Sequence, residues 1–228
     1  MQLPITEIFS SLQGEGLYLG QRHLFVRVAG CDLACSYCDE REKKGSQTLS
    51  EKEILEKIYD LDQRHGPHAF VSLTGGEPLN YAAELSGLCL RLRKDFKIYL
   101  ETNGVMDEAL RDLVEFVDVI AMDIKLKSVG GEENQFEKNK AFLNLADQHD
   151  KSVFVKIVVG ERTDENEFKS AVAIVNKVNS CIPLVLQPLT TAGTPVRNET
   201  LLRLHAVAAR WLDDVRVVPR LQVMLNIP

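Results

Sequence analysis

The sequence predicts an α/β fold in which short, mostly parallel strands alternate with amphipathic helices. Three observations predict it. Runs rich in β-branched residues are nearly continuous in apolar character, as strands buried on both faces of a parallel sheet are. Helical patterns lie between them, one after another. No Ser/Gly/Pro-rich linker, low-complexity tract or short repeat interrupts the chain, so residues 1–228 read as a single domain. Right-handed crossovers allow either an open doubly wound sheet or a full or partial barrel, and in both the chemistry gathers at the C-terminal ends of the strands.

The elements follow in order. "HLFVRVAG" (23–30) reads as a strand and runs into a loop with three cysteines. "SEKEILEKIYDLDQRH" (50–65) reads as a helix: Ser50 and Glu53 have capping-box spacing, and Ile54, Leu55, Ile58 and Leu61 share one face. "HAFVSLTG" (68–75) is a strand, "NYAAELSGLCLRLRKD" (80–95) a helix and "KIYLET" (97–102) a strand. "DEALRDLVEF" (107–116) leads to the strand "VDVIAMDIK" (117–125), and 125–135 reads as a mobile polar loop. "FEKNKAFLNLADQHD" (136–150), "SVFVKIVVG" (152–160) and "DENEFKSAVAIVNKVN" (164–179) continue the alternation. "IPLVLQPL" (182–189), "NETLLRLHAVAARWLDD" (198–214) and "VRVVP" (215–219) complete it. His65 and His68 flank a Gly-Pro turn and read as surface residues, while Trp211 reads as core or dimer interface.

The bulk properties exclude several functions. The chain carries 27 basic and 33 acidic side chains, a formal net charge of -6, so nothing draws it toward nucleic acid or anionic lipid. Its N-terminus lacks the pattern of a signal peptide, and no apolar run approaches the ~18 residues of a membrane span. Five cysteines, an odd number with three crowded together, point to reduced thiols in the cytoplasm.

Those three, Cys31, Cys35 and Cys38, have the spacing C-x3-C-x2-C. A structural zinc site usually needs four closed ligands. Cys89 and Cys181 read as core thiols, which leaves an oxygen of Asp32 or Asp39 as the only nearby fourth ligand for zinc. The alternative is a [4Fe-4S] cluster on three thiolates, with one iron open to a small molecule. The strand end "GGEP" (75–78) suits close approach of a ligand to backbone at Gly75 and Gly76, and Glu77 offers an acceptor for an ammonium group; alone, it also reads as a simple turn capped by Pro78.

Together the cysteine triad, with Tyr37 before its last member, and "GGEP" resemble the radical S-adenosylmethionine (SAM) superfamily. Its members bind SAM at the open iron and cleave it reductively to a 5′-deoxyadenosyl radical. Within it, "EIFSSLQGEG" (7–16), "FVRVAGCDLACSYCD" (25–39), "SLTGGEPL" (72–79), "YLETNG" (99–104), "MDIK" (122–125), "LQPL" (186–189) and "LNIP" (225–228) are similar to the 7-carboxy-7-deazaguanine synthase family.

The resemblance implies a partial (β/α) barrel of the radical SAM type. It also implies a lyase that converts 6-carboxy-5,6,7,8-tetrahydropterin to 7-carboxy-7-deazaguanine with loss of ammonia, in queuosine-type deazapurine biosynthesis, a tRNA-modification pathway. The cofactors it implies are a [4Fe-4S] cluster on Cys31, Cys35 and Cys38, SAM and Mg²⁺. The substrate would meet Leu12, Gln13, Gly14, Glu15, Arg27, Thr74, Gln222 and Pro228. SAM would meet Tyr37, Cys38, Asp39, Gly76, Glu77, Glu101, Thr102, Asp123, Ile124, Lys125 and Gln187. An electron donor such as flavodoxin and a homodimeric state complete the implication.

The residues alone keep plainer readings open. Arg27 alternates with apolar neighbours and equally suits an outward charge; Gln13 and Glu15 suit a turn, and Lys125 a strand cap. The chain also departs from the family pattern. Glu40 stands where a Thr or Ser helps hold Mg²⁺, Gln222 where a His contacts substrate, and Val223 where a Lys is usual. A different radical SAM reaction, such as glycyl-radical-enzyme activation, and a non-catalytic zinc or Fe-S module are the competing expectations.

Overall fold

The structure is a computed structural model that describes residues 1–38, 45–190 and 196–227. These residues form one sheet of nine strands: β1 (Gln2–Leu12), β2 (Arg22–Val28), β3 (Gln47–Ser50), β4 (Phe70–Gly75), β5 (Lys97–Thr102), β6 (Val119–Ile124), β7 (Ser152–Val159), β8 (Leu184–Pro188) and β9 (Val215–Val217). The spatial order is β3-β1-β2-β4-β5-β6-β7-β8-β9. β1 pairs antiparallel with β2 and β3, and every pairing from β2 to β9 is parallel. The two edges, β3 and β9, do not meet, so the barrel is open.

The antiparallel edge is absent from the sequence reading. "QLPITEIFSSL" mixes a proline with charged and hydroxyl side chains, and a search for continuous apolar runs passes over such a strand. The helices are α1 (Glu51–His65), α2 (Ala82–Leu92), α3 (Asp107–Leu113), α4 (Lys127–Gly130), α5 (Phe136–Gln148), α6 (Glu165–Val178), α7 (Asn198–Ala208) and α8 (Leu221–Leu225). The capping box is present at α1: the Glu53 N–H donates to Ser50 Oγ while the Glu53 carboxylate accepts from the Ser50 N–H.

Strand alternation divides the interior into two populations. Leu24, Val26, Ile98, Leu100, Ile120, Met122, Val155 and Ile157 face the helices and join the main core. Their neighbours Phe25, Arg27, Tyr99, Glu101, Ala121, Asp123, Phe154 and Lys156 face the barrel interior. There the lower level is apolar, with Phe70, Tyr99, Val119, Ala121, Phe154 and Val185 as a floor, and the ionisable groups stand above it.

Several expectations change. His68 is buried, not on the surface: its Nδ1 pairs with Asp62 Oδ1 and its Nε2 with Ser10 Oγ, each at 2.7 Å, which ties β1 to the end of α1. Trp211 is 53% exposed and so is not core, and Cys181 is exposed although Cys89 is a core thiol. The stretch 125–135 is partly ordered as α4, pinned where the Lys127 and Ser128 N–H groups donate to the Glu167 carboxylate. Among the described residues, no helix is long and apolar enough to cross a membrane.

Candidate functional site

The cysteine loop leaves the C-terminal end of β2 and is braced by the end of β4. The Gly76 N–H donates to Val28 O (3.0 Å) and the Glu77 N–H to Gly30 O (2.8 Å). A Cβ on Gly76 would lie 1.8 Å from Gly30 O, so the two loops touch only because residue 76 has no side chain. Asn103, from the end of β5, donates its amide to Asp32 Oδ1 at 2.8 Å, and the Ser36 N–H donates to Gly130 O at 2.8 Å. Three strand ends and α4 thus fix one short loop.

Glu77 has a different place from its neighbours. It is fully buried, and its carboxylate accepts hydrogen bonds from the Leu79 N–H, the Thr102 hydroxyl and the Asn103 N–H at 2.8–3.1 Å. Burial pushes its carboxyl up to about 7 against those donors. In this arrangement it caps the turn Pro78–Tyr81 and lies behind the cavity wall.

A cavity of about 420 Å³ opens inside the barrel. Cys31, Cys35, Cys38 and Tyr37 line it, as do Leu12, Gln13, Gly14, Glu15, Arg27, Thr74 and Gln222. Gly76, Glu101, Thr102, Asp123, Lys125 and Gln187 lie along its wall. Ile124 does not: between two inward neighbours it faces the helices and is wholly buried in the core. Asp39, Glu40 and Pro228 lie outside the described residues.

The loop after β1 supplies Gln13, Gly14 and Glu15 to the cavity lining. The Gln13 N–H donates to Gln21 O (2.7 Å) and the Gly20 N–H to Gln13 O (2.8 Å), which closes the loop, and Gly14 O accepts from the Leu221 N–H at 2.9 Å, which ties α8 to it. A Cβ on Gly14 would stand 1.9 Å from Gln222 Oε1, so a side chain there displaces the Gln222 amide. Glu101 accepts from Gln13 Nε2 (2.8 Å) and Thr74 Oγ1 (2.7 Å). Arg27 points inward, 5.5 Å from the centroid of Phe9, whose ring stacks on Phe25, and it pairs with Glu7 at 3.4 Å. It is therefore not an outward charge.

The ionised groups form one chain. Burial alone would raise the Glu15 carboxyl, but Lys156, Arg220 and the Gln222 amide override it and hold it at about 2. Lys156 also reaches Asp123 Oδ2 at 3.2 Å, an oxygen shared with Lys125. Burial works against the charge on Lys125 and Lys156, yet the adjacent carboxylates raise both ammonium groups above the usual lysine value. Lys125 also sits 5.5 Å over the Tyr37 ring.

The donor set fits a cluster and SAM. Cys31, Cys35 and Cys38 are all free and line one cavity; Cys31 is exposed while Cys35 is buried, and burial raises the Cys35 thiol above its ordinary value. Among the described residues, no group of three His, Cys, Asp or Glu side chains is arranged to hold a metal ion, the three cysteines included, and Asp39 lies outside those residues. Buried oxygens of Asp123 (Oδ1) and Gln187 (Oε1) have no partner among the described residues, which leaves two acceptors for the ammonium and hydroxyl groups of such a ligand.

Sequence reasoning missed Lys156, Arg220, Asn103 and the aromatic residues Phe9, Phe25, Tyr99 and Phe154. The signal for Lys156 is a lone cation in the middle of an otherwise apolar strand.

The chain matches the family described as the Radical SAM superfamily over residues 25–175. It is 38% identical over 237 residues to the 7-carboxy-7-deazaguanine synthase of Geobacter sulfurreducens, covering 95% of this chain and 94% of the relative. The synthase of Archaeoglobus fulgidus is 33% identical, with full coverage of both chains. The crystal structure of QueE from Escherichia coli superposes with a TM-score of 0.65 at 21% identity, covering 97% of this chain and 95% of that one; this likeness concerns the fold.

Proposed function

Because this chain belongs to the 7-carboxy-7-deazaguanine synthase family of the radical SAM superfamily, we propose how its residues divide the work of that reaction. The enzyme is a radical SAM lyase that converts 6-carboxy-5,6,7,8-tetrahydropterin to 7-carboxy-7-deazaguanine with loss of ammonia. When bound, the [4Fe-4S] cluster and SAM supply the one-electron chemistry that initiates the reaction.

The protein holds and orients. Cys31, Cys35 and Cys38 ligate the cluster on a loop stiffened by Gly76 and Asn103. Tyr37, Gly76, Thr102, Asp123, Lys125 and Gln187 receive SAM, with Asp123 Oδ1 and Gln187 Oε1 as acceptors. Glu77 acts from behind the wall: it fixes the turn that presents Gly76 and orients Thr102. Arg27, steadied by Phe9, takes the substrate carboxylate through paired hydrogen bonds. Leu12, Gln13, Gly14, Glu15, Glu101, Thr74 and Gln222 surround the donor- and acceptor-rich pterin ring, with Pro228 closing the pocket. Gln222 donates to Glu15 at 3.0 Å and cannot titrate near neutrality, so it holds a carboxylate in place and moves no proton. Mg²⁺, with Asp39 and Glu40 nearby in sequence, belongs to the same reading, as do one radical SAM domain over 1–228, a cytoplasmic homodimer and a flavodoxin-type reductant.

One observation supports the assignment: the three cysteines, Arg27, Gln13, Thr74 and Gln222 line a single cavity. The test is anaerobic reconstitution with iron and sulfide, followed by reduction with SAM and 6-carboxytetrahydropterin and mass spectrometry of the products. The expected product is 7-carboxy-7-deazaguanine, without stoichiometric consumption of SAM. Cleavage of SAM with the pterin untouched overturns the substrate assignment and leaves the cluster assignment standing.

A further inference from the structure

Lys156 lies between the two halves of the cavity. Asp123 and Lys156 are register partners on β6 and β7 and point into the same interior. The ammonium group touches Glu15 Oε2 on one side and stands 3.2 Å from Asp123 Oδ2 on the other. All three side chains are nearly buried, at 17%, 21% and 12% exposure. One cation is thus shared by two carboxylates in a site of low dielectric, where drawing it toward one weakens its hold on the other.

The two carboxylates differ in what else they hold. Glu15 Oε1 takes Gln222 Nε2 at 3.0 Å and Arg220 Nε at 3.1 Å, so Glu15 remains partnered without Lys156. Asp123 depends on Lys125 and Lys156 at one oxygen, while its other oxygen, Oδ1, is buried with no partner among the described residues. A donor-bearing ligand that pairs with Glu15 therefore competes with Lys156 there. The displaced ammonium has Asp123 within reach, and a more firmly held Asp123 presents Oδ1 in a fixed direction.

We infer that Lys156 is a positioning residue that couples the half-sites: substrate bound at Glu15 releases Lys156 to Asp123, and SAM then binds more tightly. This rests on the assignment of Glu15 to the pterin end and Asp123 to the SAM end. The coupling is reciprocal, so SAM tightens the pterin by the same factor.

The experiment is calorimetric titration of the anaerobically reconstituted enzyme with SAM, with and without saturating 6-carboxytetrahydropterin, and with no reductant so that nothing turns over. In the wild type the pterin lowers the SAM Kd roughly fivefold or more. In Lys156→Met each ligand still binds alone, but the ratio of the two SAM Kd values falls to about one. Lys156→Arg keeps the charge and gives a ratio above one, which preserves the test should Lys156→Met not fold. A wild-type ratio retained in Lys156→Met, a ratio of one in the wild type, or a ratio of one in Lys156→Arg overturns the coupling. A wild type that binds SAM but no pterin overturns the site assignment instead.

Discussion

His23 should make the fold acid-sensitive in a window that its surroundings define. It sits in the barrel floor, wholly buried, with ring centroids of Phe70, Tyr99 and Phe25 at 4.8, 5.3 and 5.9 Å. Nδ1 pairs with Ser72 Oγ at 2.7 Å, and Nε2 has no partner. A proton on this ring would create a buried cation without an anion. Burial, aided by nearby His68, therefore lowers its pKa from 6.5 to about 4. The unfolded chain binds that proton first, so stability falls as pH drops through 6.5, and the loss is complete below about 4. That lowering is worth about 3 kcal/mol.

Glu77 opposes this over nearly the same range. Its folded carboxyl is raised from 4.5 to about 7, so its contribution is fully present below 4.5 and is lost as pH rises to 7. The wild-type curve between 4.5 and 6.5 is consequently flattened by two opposite slopes. The informative quantity is the difference between the wild type and His23→Gln, in which Glu77 cancels. Anaerobic urea unfolding at half-unit steps from pH 7 to pH 4 should show the stability difference shifting by about 3 kcal/mol in favour of the variant on acidification. Parallel curves for the two proteins across that range would refute the reasoning, because they would mean that His23 is as readily protonated folded as unfolded.

The remaining predictions concern the cavity. Cys31→Ala should abolish both cluster incorporation and turnover; SAM cleavage retained by that variant would contradict the ligand assignment. Gly76→Ala forces Cβ against Gly30 O, so iron content after reconstitution should drop sharply while secondary structure by circular dichroism persists; normal iron loading would show that the loop contact is dispensable. Arg27→Ala removes a charged hydrogen-bonding partner worth about 1.5–3 kcal/mol, so substrate KM should rise roughly tenfold to a hundredfold with SAM affinity unchanged, as steady-state kinetics will reveal. Glu40→Thr should preserve or raise Mg²⁺-dependent activity; its loss would make Glu40 an adapted ligand.

The parallel core and much of the cavity lining were legible because each depends on a local pattern. Continuous apolar runs located the parallel strands, and the cluster loop, "GGEP", "ETNG", "DIK" and "QPL" all fell at or just beyond strand ends. What was hidden depends on partners distant in the chain. Lys156 is an isolated cation until Glu15, 141 residues earlier, is folded onto it. His68 looked exposed beside a Gly-Pro turn, and only Ser10 from an unrecognised strand makes it a buried link. The same omission concealed Phe9, since the face of β1 that lines the cavity carries no apolar run.

Three carboxylates around this cavity illustrate why residue type alone could not assign roles. Glu15 is offset by two cations and an amide and stays ionised down to about pH 2; a ligand donor reaches it only by displacing one of them, Lys156. Glu77 has only neutral donors in full burial, and a carboxyl near 7 in that position suits fixing a turn better than binding an ammonium group. Glu101 accepts from two neutral groups, Gln13 and Thr74, on the cavity wall. Those donors aim it without neutralising it, so it is the carboxylate with charge to spend on a donor-rich ligand edge. Substituting each by glutamine should separate them. Glu77→Gln should act through cluster loading, Glu15→Gln through the coupling between ligands, and Glu101→Gln through pterin affinity, measured as Kd in the absence of reductant. Equal losses of pterin affinity in all three would show that the cavity reads them as one pool of negative charge, and the division by hydrogen-bond partner would fail.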